Sequence, residues 1–274
     1  MRRLSLAFAF LIPVTVDGSL LAEVVPEVII AEKKEELGLD EIARLIDDAN
    51  TAEDAGLYSQ AIVSLEKIYT FLEKDLKNID VELSVAISNR LSWLYLKQGL
   101  YNKAEPILVR ALLIAEKYLE ADHVDTAIIL NHLASLYHSQ GLYEKSARHF
   151  LRAIAISEEK LGPEDGTTGA FLNNLGLMYI DQGSFEKAEP ILLRALAINE
   201  KEAPEDKGLA NELNNLGLVY EGLQMYKKAE KFHIRALKIR ETNLPKDHPH
   251  IAHSLNNLAL IYEQQNLYGK AERN

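Results

Sequence analysis

The 274-residue sequence has no cysteine, which excludes disulfide frameworks, thiolate metal sites and cysteine nucleophiles within it. The redox compartment stays open, because an exported chain can simply avoid thiols. Basic residues are outnumbered, 30 Lys and Arg against 41 Asp and Glu, for a formal net charge of −11. A polyanion needs clustered cations to displace its counterions, so no nucleic acid partner is expected, and anionic membrane surfaces are disfavoured for the same reason. Long apolar runs are absent but for Leu4–Val16, whose 13 residues include Pro13 and fall short of the ~20 needed to span a bilayer. Catalytic signatures are missing too: there is no GxxxxGK[ST] loop, GxSxG elbow or HExxH helix. No enzymatic activity, cofactor or metal is therefore expected. His248, His250 and His253 match no metal-ligand spacing and read as part of a structural loop. What is abundant is apolar residues at 47%, enough for packed cores and against disorder along the whole chain.

The ends differ from the middle. Arg2 and Arg3 ahead of the apolar run give residues 1–22 the layout of a secretory signal peptide. Cleavage would leave an exported chain, periplasmic or extracellular; a retained segment would leave it membrane-tethered or cytoplasmic. Residues 23–60 carry eleven acids against Lys33, Lys34 and Arg44. Their opening part, 23–41, is expected to cap the fold or to form an acidic arm.

From residue 42 onward the chain repeats. GLYNKAEPILVRAL (99–112), GLYEKSARHFLRAI (141–154), GSFEKAEPILLRAL (183–196) and QMYKKAEKFHIRAL (224–237) align, and a further copy opens as NLYGKAERN. Their aromatic residues Tyr101, Tyr143, Phe185, Tyr226 and Tyr268 are 42, 42, 41 and 42 apart. A second block precedes each one, as in LNHLASLYHSQ and LNNLGLMYIDQ. Repeats are expected at 42–84, 85–126, 127–168, 169–209 and 210–251, with an incomplete one at 252–274. Both blocks have helical period: Leu172, Leu175, Gly176 and Tyr179 share one face, as do Phe185, Ala188, Leu192 and Ala195. Gly99, Gly141 and Gly183 suit tight helix–helix turns, whereas Gln224 replaces the glycine. Ala111, Ala153, Ala195 and Ala236 recur where two helix backbones should approach closely. LGPEDG, EAPEDKG and NLPKDHP punctuate the steps between repeats.

This pattern resembles the tetratricopeptide repeat, and its 42-residue period with LNNL, AEP, RAL and KDHP resembles the kinesin-light-chain type found in bacterial arrays. The resemblance implies an all-α, right-handed solenoid of antiparallel helix pairs that binds a peptide or protein partner along a concave face lined by the first helix of each pair. On that geometry Asn131, Asn173, Asn174, Asn214, Asn215, Asn256 and Asn257 face the groove, with Arg90, His132 and Trp93 on the same stripe. Asparagine offers both an acceptor and two donors to a peptide main chain, and the family's role carries most directly to Asn174, Asn215 and Asn257. Helix-start or loop bonding is the rival role for these amides. Arg90, Lys97, His132 and His138 early in the stripe, against Asp181, Glu221 and Glu263 later, imply a partner with charges arranged the opposite way.

Two other functions stay open at this point. One is the recognition arm of a longer protein with a C-terminal effector, such as a caspase-like peptidase or a signalling domain. The other is an envelope scaffold assembling through array ends, with self-association through the incomplete C-terminal repeat.

Overall fold

The computed structural model describes residues 37–74, 80–119, 122–202 and 208–267. The expected leader at 1–22, nearly all of the acidic segment 23–41, and Tyr268 with the residues after it lie outside the described residues. Among the described residues there are eleven α-helices and no strand. They are α1 (Leu39–Asp54), α2 (Tyr58–Lys74), α3 (Val81–Lys97), α4 (Tyr101–Tyr118), α5 (Val124–Ser139), α6 (Tyr143–Lys160), α7 (Gly166–Asp181), α8 (Phe185–Glu202), α9 (Leu209–Gly222), α10 (Tyr226–Asn243) and α11 (Pro249–Gln264). Odd-numbered helices are the first of each pair and even-numbered ones the second. The all-α fold of antiparallel helix pairs is as expected, and α1 opens at Leu39, ahead of the expected start of the repeats at 42.

Local chemistry sets where helices begin and end. Asp80 Oδ1 accepts from the Leu83 N–H at 3.0 Å and Asp165 Oδ1 from the Thr167 N–H at 2.8 Å, each satisfying a donor that the first turn leaves open. Between the helices of a pair the chain reverses through one left-handed residue: Gly56, Gly99, Gly141 and Gly183 have φ of 71°, 69°, 74° and 77°. The residue after it donates back five positions, as Leu100 N–H does to the Tyr95 carbonyl and Leu142 N–H to the Tyr137 carbonyl, both at 2.8 Å. Gln224 and Asn266 hold the same conformation at φ 58° and 57° without glycine's freedom. At Gln224 the turn is thus imposed by α9 and α10 packed on either side, at a cost of roughly 1–2 kcal/mol for a side chain in that region.

The described helices form two compact units that divide inside α6, between Ile156 and Ser157. In the first unit Leu45, Ala49, Leu65, Ile68, Leu91, Leu108 and Leu133 form one buried cluster. In the second, Leu192, Leu196, Leu213, Leu216, Val219 and Ile261 do the same. Consecutive helices pack, and first helices also touch across a repeat: α3 meets α5 in the first unit, α7 meets α9 in the second.

Two sets of side chains tie the helices at fixed register. Within pairs, the Lys145 ammonium stands 3.6 Å from the Tyr137 ring centre, and Lys103, Lys187 and Lys228 stand over Tyr95, Tyr179 and Tyr220. Between successive second helices, Arg110 pairs with Glu73 at 2.6 Å, Arg152 with Glu116 and Arg194 with Glu158 at 2.5 Å, and Arg235 with Glu200. These partly exposed ion pairs contribute about 0–1 kcal/mol each, so they set register more than stability.

Ala111, Ala153, Ala195 and Ala236 are all within 1% of complete burial. Ala195→Leu is expected to lower stability by about 1–3 kcal/mol through overpacking, measured by chemical denaturation against the unsubstituted chain.

Candidate functional site

The first helices carry the residues that the sequence assigned to a groove, and the structure buries most of them. Asn131, Asn173 and Asn174 are at most 2% exposed, and Asn214, Asn215, Asn257 and His132 at most 8%. Every residue from Thr126 to Tyr137 in α5, and from Thr168 to Met178 in α7, is buried. Four of the amides, those of Asn173, Asn214, Asn215 and Asn257, bond between neighbouring first helices, instead of to the helix starts or loops considered as the rival role. Asn215 Nδ2 donates to Asn173 Oδ1 at 3.3 Å, and Asn257 Nδ2 donates to Asn214 Oδ1 at 2.8 Å. In both bonds the second asparagine of a pair is the donor and the first asparagine of the preceding pair the acceptor. Asn256 breaks the series: it is exposed.

The remaining candidates lie in the first unit. Trp93 on α3 is half-buried, its ring edge-on to Tyr58 with centroids 6.0 Å apart, and the Lys97 ammonium lies 5.3 Å from its centre. Desolvation pulls the Lys97 pKa below the ordinary lysine range. Arg90, partly exposed, pairs with Glu53 through a 2.6 Å contact from Nε. His132 is enclosed, and its Nδ1 has no hydrogen-bond partner. Burial pushes its pKa down to about 4, so the ring is neutral at neutral pH.

A second polar series escaped sequence reasoning. On the second helices one register holds Ala115, Ser157, Asn199 and Arg240. Ala115 is fully buried and apolar. Ser157 Oγ lies 2.6 Å from Thr168 Oγ1, and Asn199 Nδ2 donates to Glu212 Oε1 at 2.7 Å. Arg240, 5% exposed, donates from Nη1 to Ser254 Oγ at 2.6 Å and the His250 carbonyl at 3.3 Å, and from Nη2 to Asn211 Oδ1 at 3.0 Å. One guanidinium on α10 thereby joins α9 to α11. Burial lowers the Arg240 pKa, while burial first and the Arg240 charge second lower those of His250 and His253. The signal in sequence is the break of the repeat itself, where alanine gives way to serine, asparagine and arginine.

The histidine cluster is a helix cap. His248 Nδ1 accepts from the His250 N–H at 3.2 Å, and the two rings stack with centroids 4.9 Å apart. Among the described residues no group of three or more His, Asp or Glu is arranged to hold a metal ion, and no helix is long and apolar enough to cross a membrane. His233, where other repeats have Leu108, Phe150 and Leu192, is fully buried, with Nε2 2.9 Å from Glu221 Oε1. Its ring covers Gly217, where an added Cβ would come within 2.4 Å of it.

The tetratricopeptide repeat family profile matches residues 84–159, 125–201, 167–242 and 208–274. No curated protein matches the sequence. Among solved structures, BtubC (BKLC) from P. vanneervenii is 26% identical with a TM-score of 0.63, over 85% of this chain and 87% of that one. A kinesin-light-chain-type protein from Podosopora anserina with nearly identical repeats is 20% identical with a TM-score of 0.60, over 68% of this chain and 89% of that one. A signal transduction ATPase from Pyrococcus horikoshii with a tetratricopeptide repeat sensor is 20% identical with a TM-score of 0.65, over 82% of this chain and 33% of that one. The last two likenesses establish the fold alone.

Asn257→Ala removes one rung between first helices and strips Asn214 Oδ1 of its donor; a loss of about 1 kcal/mol is expected in urea unfolding. His132 gives a pH signature. The unfolded imidazole takes its proton near 6.5 and the folded one only at about 4, so the unfolded state binds more protons between those values. Stability fully present above about pH 6.5 is therefore lost as pH falls toward 4, by roughly 3 kcal/mol in all. In denaturation series across that window, His132→Leu is expected to flatten the slope.

Proposed function

From the premise that the chain belongs to the tetratricopeptide repeat family, we propose that it is a non-catalytic module that binds a peptide or protein segment, with Trp93 as the principal contact. Tetratricopeptide repeats are protein–protein interaction modules, and the chain takes that general role from its family. The observation that supports the finer reading is that Trp93 on α3 stays partly exposed, when the asparagines of α5 and α7 are buried. A rigid indole supplies a large contact area at little entropic cost, and buried aromatic anchors dominate many interfaces. The ammonium of Lys97 beside the ring adds a preference for a segment with an apolar side chain near a carboxylate. In this reading the asparagines hold the spacing of the repeats and do not read the partner. Export of the chain, from the layout of residues 1–22, is part of the same proposal.

The test is a photo-crosslinking residue at position 93 in the native host, followed by affinity measurement on the captured partner. Trp93→Ala is expected to weaken that partner by about 10- to 100-fold, measured at a temperature where circular dichroism shows the variant folded, since loss of the ring also removes packing against Tyr58. Unchanged affinity would remove Trp93 from the binding surface.

A further inference from the structure

Charge is unevenly placed in the second unit. The chain has a net charge of −11, yet α10 holds six Lys and Arg against two Glu. Lys228 and Arg235 turn to the preceding second helix, α8, where they pair with Glu189 and Glu200, and Arg240 is buried. The other three, Lys227, Lys231 and Lys238, are exposed and enter no ion pair among the described residues. With Ile234, 46% exposed, they form a row at intervals of four, three and four residues, which runs along one side of the helix for about 17 Å. On α8 the positions of Lys231, Ile234 and Lys238 are held by Pro190, Leu193 and Ala197, exposed and uncharged. The build of the repeat leaves this face open: in the register of Ile234, Val109, Leu151 and Leu193 are 41%, 52% and 38% exposed although a further second helix follows each of them.

We infer that the outward face of α8 and α10 binds an acidic amphipathic helix of another protein. The two helices lie side by side, joined by Arg235 with Glu200 and Lys228 with Glu189, so an apolar strip on α8 borders a cationic row on α10. A helix laid along them buries its apolar stripe on Leu193 and Ile234. Its rise per residue equals that of α10, so carboxylates at the same intervals of four, three and four meet Lys227, Lys231 and Lys238 in turn. The lysine stems can lie over the apolar contact while their ammonium groups reach those carboxylates. A basic segment would instead meet like charge at three points along this row. An extended polyanion or an anionic membrane finds too little here, because three free cations stand on a chain that repels negative charge as a whole. The inference is independent of the partner reading, which concerns α3.

The probe is a synthetic helix-forming peptide with a leucine stripe bordered by glutamate, titrated into the full chain by fluorescence anisotropy. The same peptide with lysine in place of glutamate, and phosphatidylglycerol vesicles, are run beside it. The glutamate peptide is expected to bind saturably and to weaken about 10-fold as salt rises from about 0.05 to 0.3 M. Bound, it should protect Lys227, Lys231 and Lys238 from acetylation, read by mass spectrometry. Lys231→Glu and Lys238→Glu together should lower its affinity about 10-fold and raise that of the lysine peptide, a reversal that misfolding cannot produce. Equal binding of both peptides to the unsubstituted chain, an affinity indifferent to the charge reversal, protection of Lys97 beside Trp93 in place of the α10 lysines, or binding of the vesicles and not of the glutamate peptide would overturn the proposal.

Discussion

A pair of helices 14 to 18 residues long cannot bury its own apolar surface, and this constraint governs the rest of the structure. Each pair must be covered by the next, and the first helices bear the consequence. Over their central turns α5 and α7 are enclosed on every side, so any polar residue there needs a partner supplied by protein. The asparagines answer that need in the second unit by pairing with each other across 42 and 43 residues of sequence. Arg152 and Arg194 likewise find carboxylates 36 residues earlier. The repeat length is thus also a bonding register: in the asparagine pair of α9 the second member donates to the preceding first helix and the first member accepts from the following one.

Departures from the repeat are informative for the same reason. The register of Ala115, Ser157, Asn199 and Arg240 grows longer and more polar along the chain, and each polar member meets an oxygen on the first helix that follows. Arg240 is the extreme case. A buried guanidinium without a carboxylate among its hydrogen-bond partners is expensive unless its donors are satisfied, and here carbonyl, hydroxyl and amide oxygens satisfy them. Such a contact has strict geometry, and it fixes how α11 sits against α9 more tightly than apolar packing would. His233 over Gly217 shows the reverse adjustment, since a flat ring fits only where the facing helix has no Cβ.

The helices, their pairing and their turns were legible in the sequence because each rests on local chemistry. Apolar period gives the helices, the Pro, Gly and Asp of LGPEDG mark the step between repeats, and Gly99, Gly141 and Gly183, 42 residues apart, give the turns. Gln224 shows the limit of that reading, as the turn persists at φ 58° when the glycine does not. The fate of Asn215 and Asn257 was not legible. Whether a carboxamide faces a groove or a neighbouring helix depends on how closely successive first helices approach, and no residue type encodes that distance by itself. The burial of His132 was not legible for the same reason: the imidazole reads as a polar groove residue until the enclosure of α5 is known.

These considerations narrow where function can reside. Residues that recur in every copy are largely consumed in stacking, so selectivity has to come from positions that do not recur. One first-helix register holds Trp93, Ser135, Leu177, Leu218 and Leu260. Ser135 and Leu177 are 2% and 5% exposed, which removes them from contact with anything outside the chain. Trp93 and Leu218 are half-buried and Leu260 is 43% exposed, so the register is partly open in α3, α9 and α11. Trp93 has a cation at its ring and a second aromatic at its edge, the surroundings of an anchor for a foreign side chain. Where this register is buried it goes into the packing of the repeats, and where it is partly exposed, as at Trp93, it is open to contact from outside the chain.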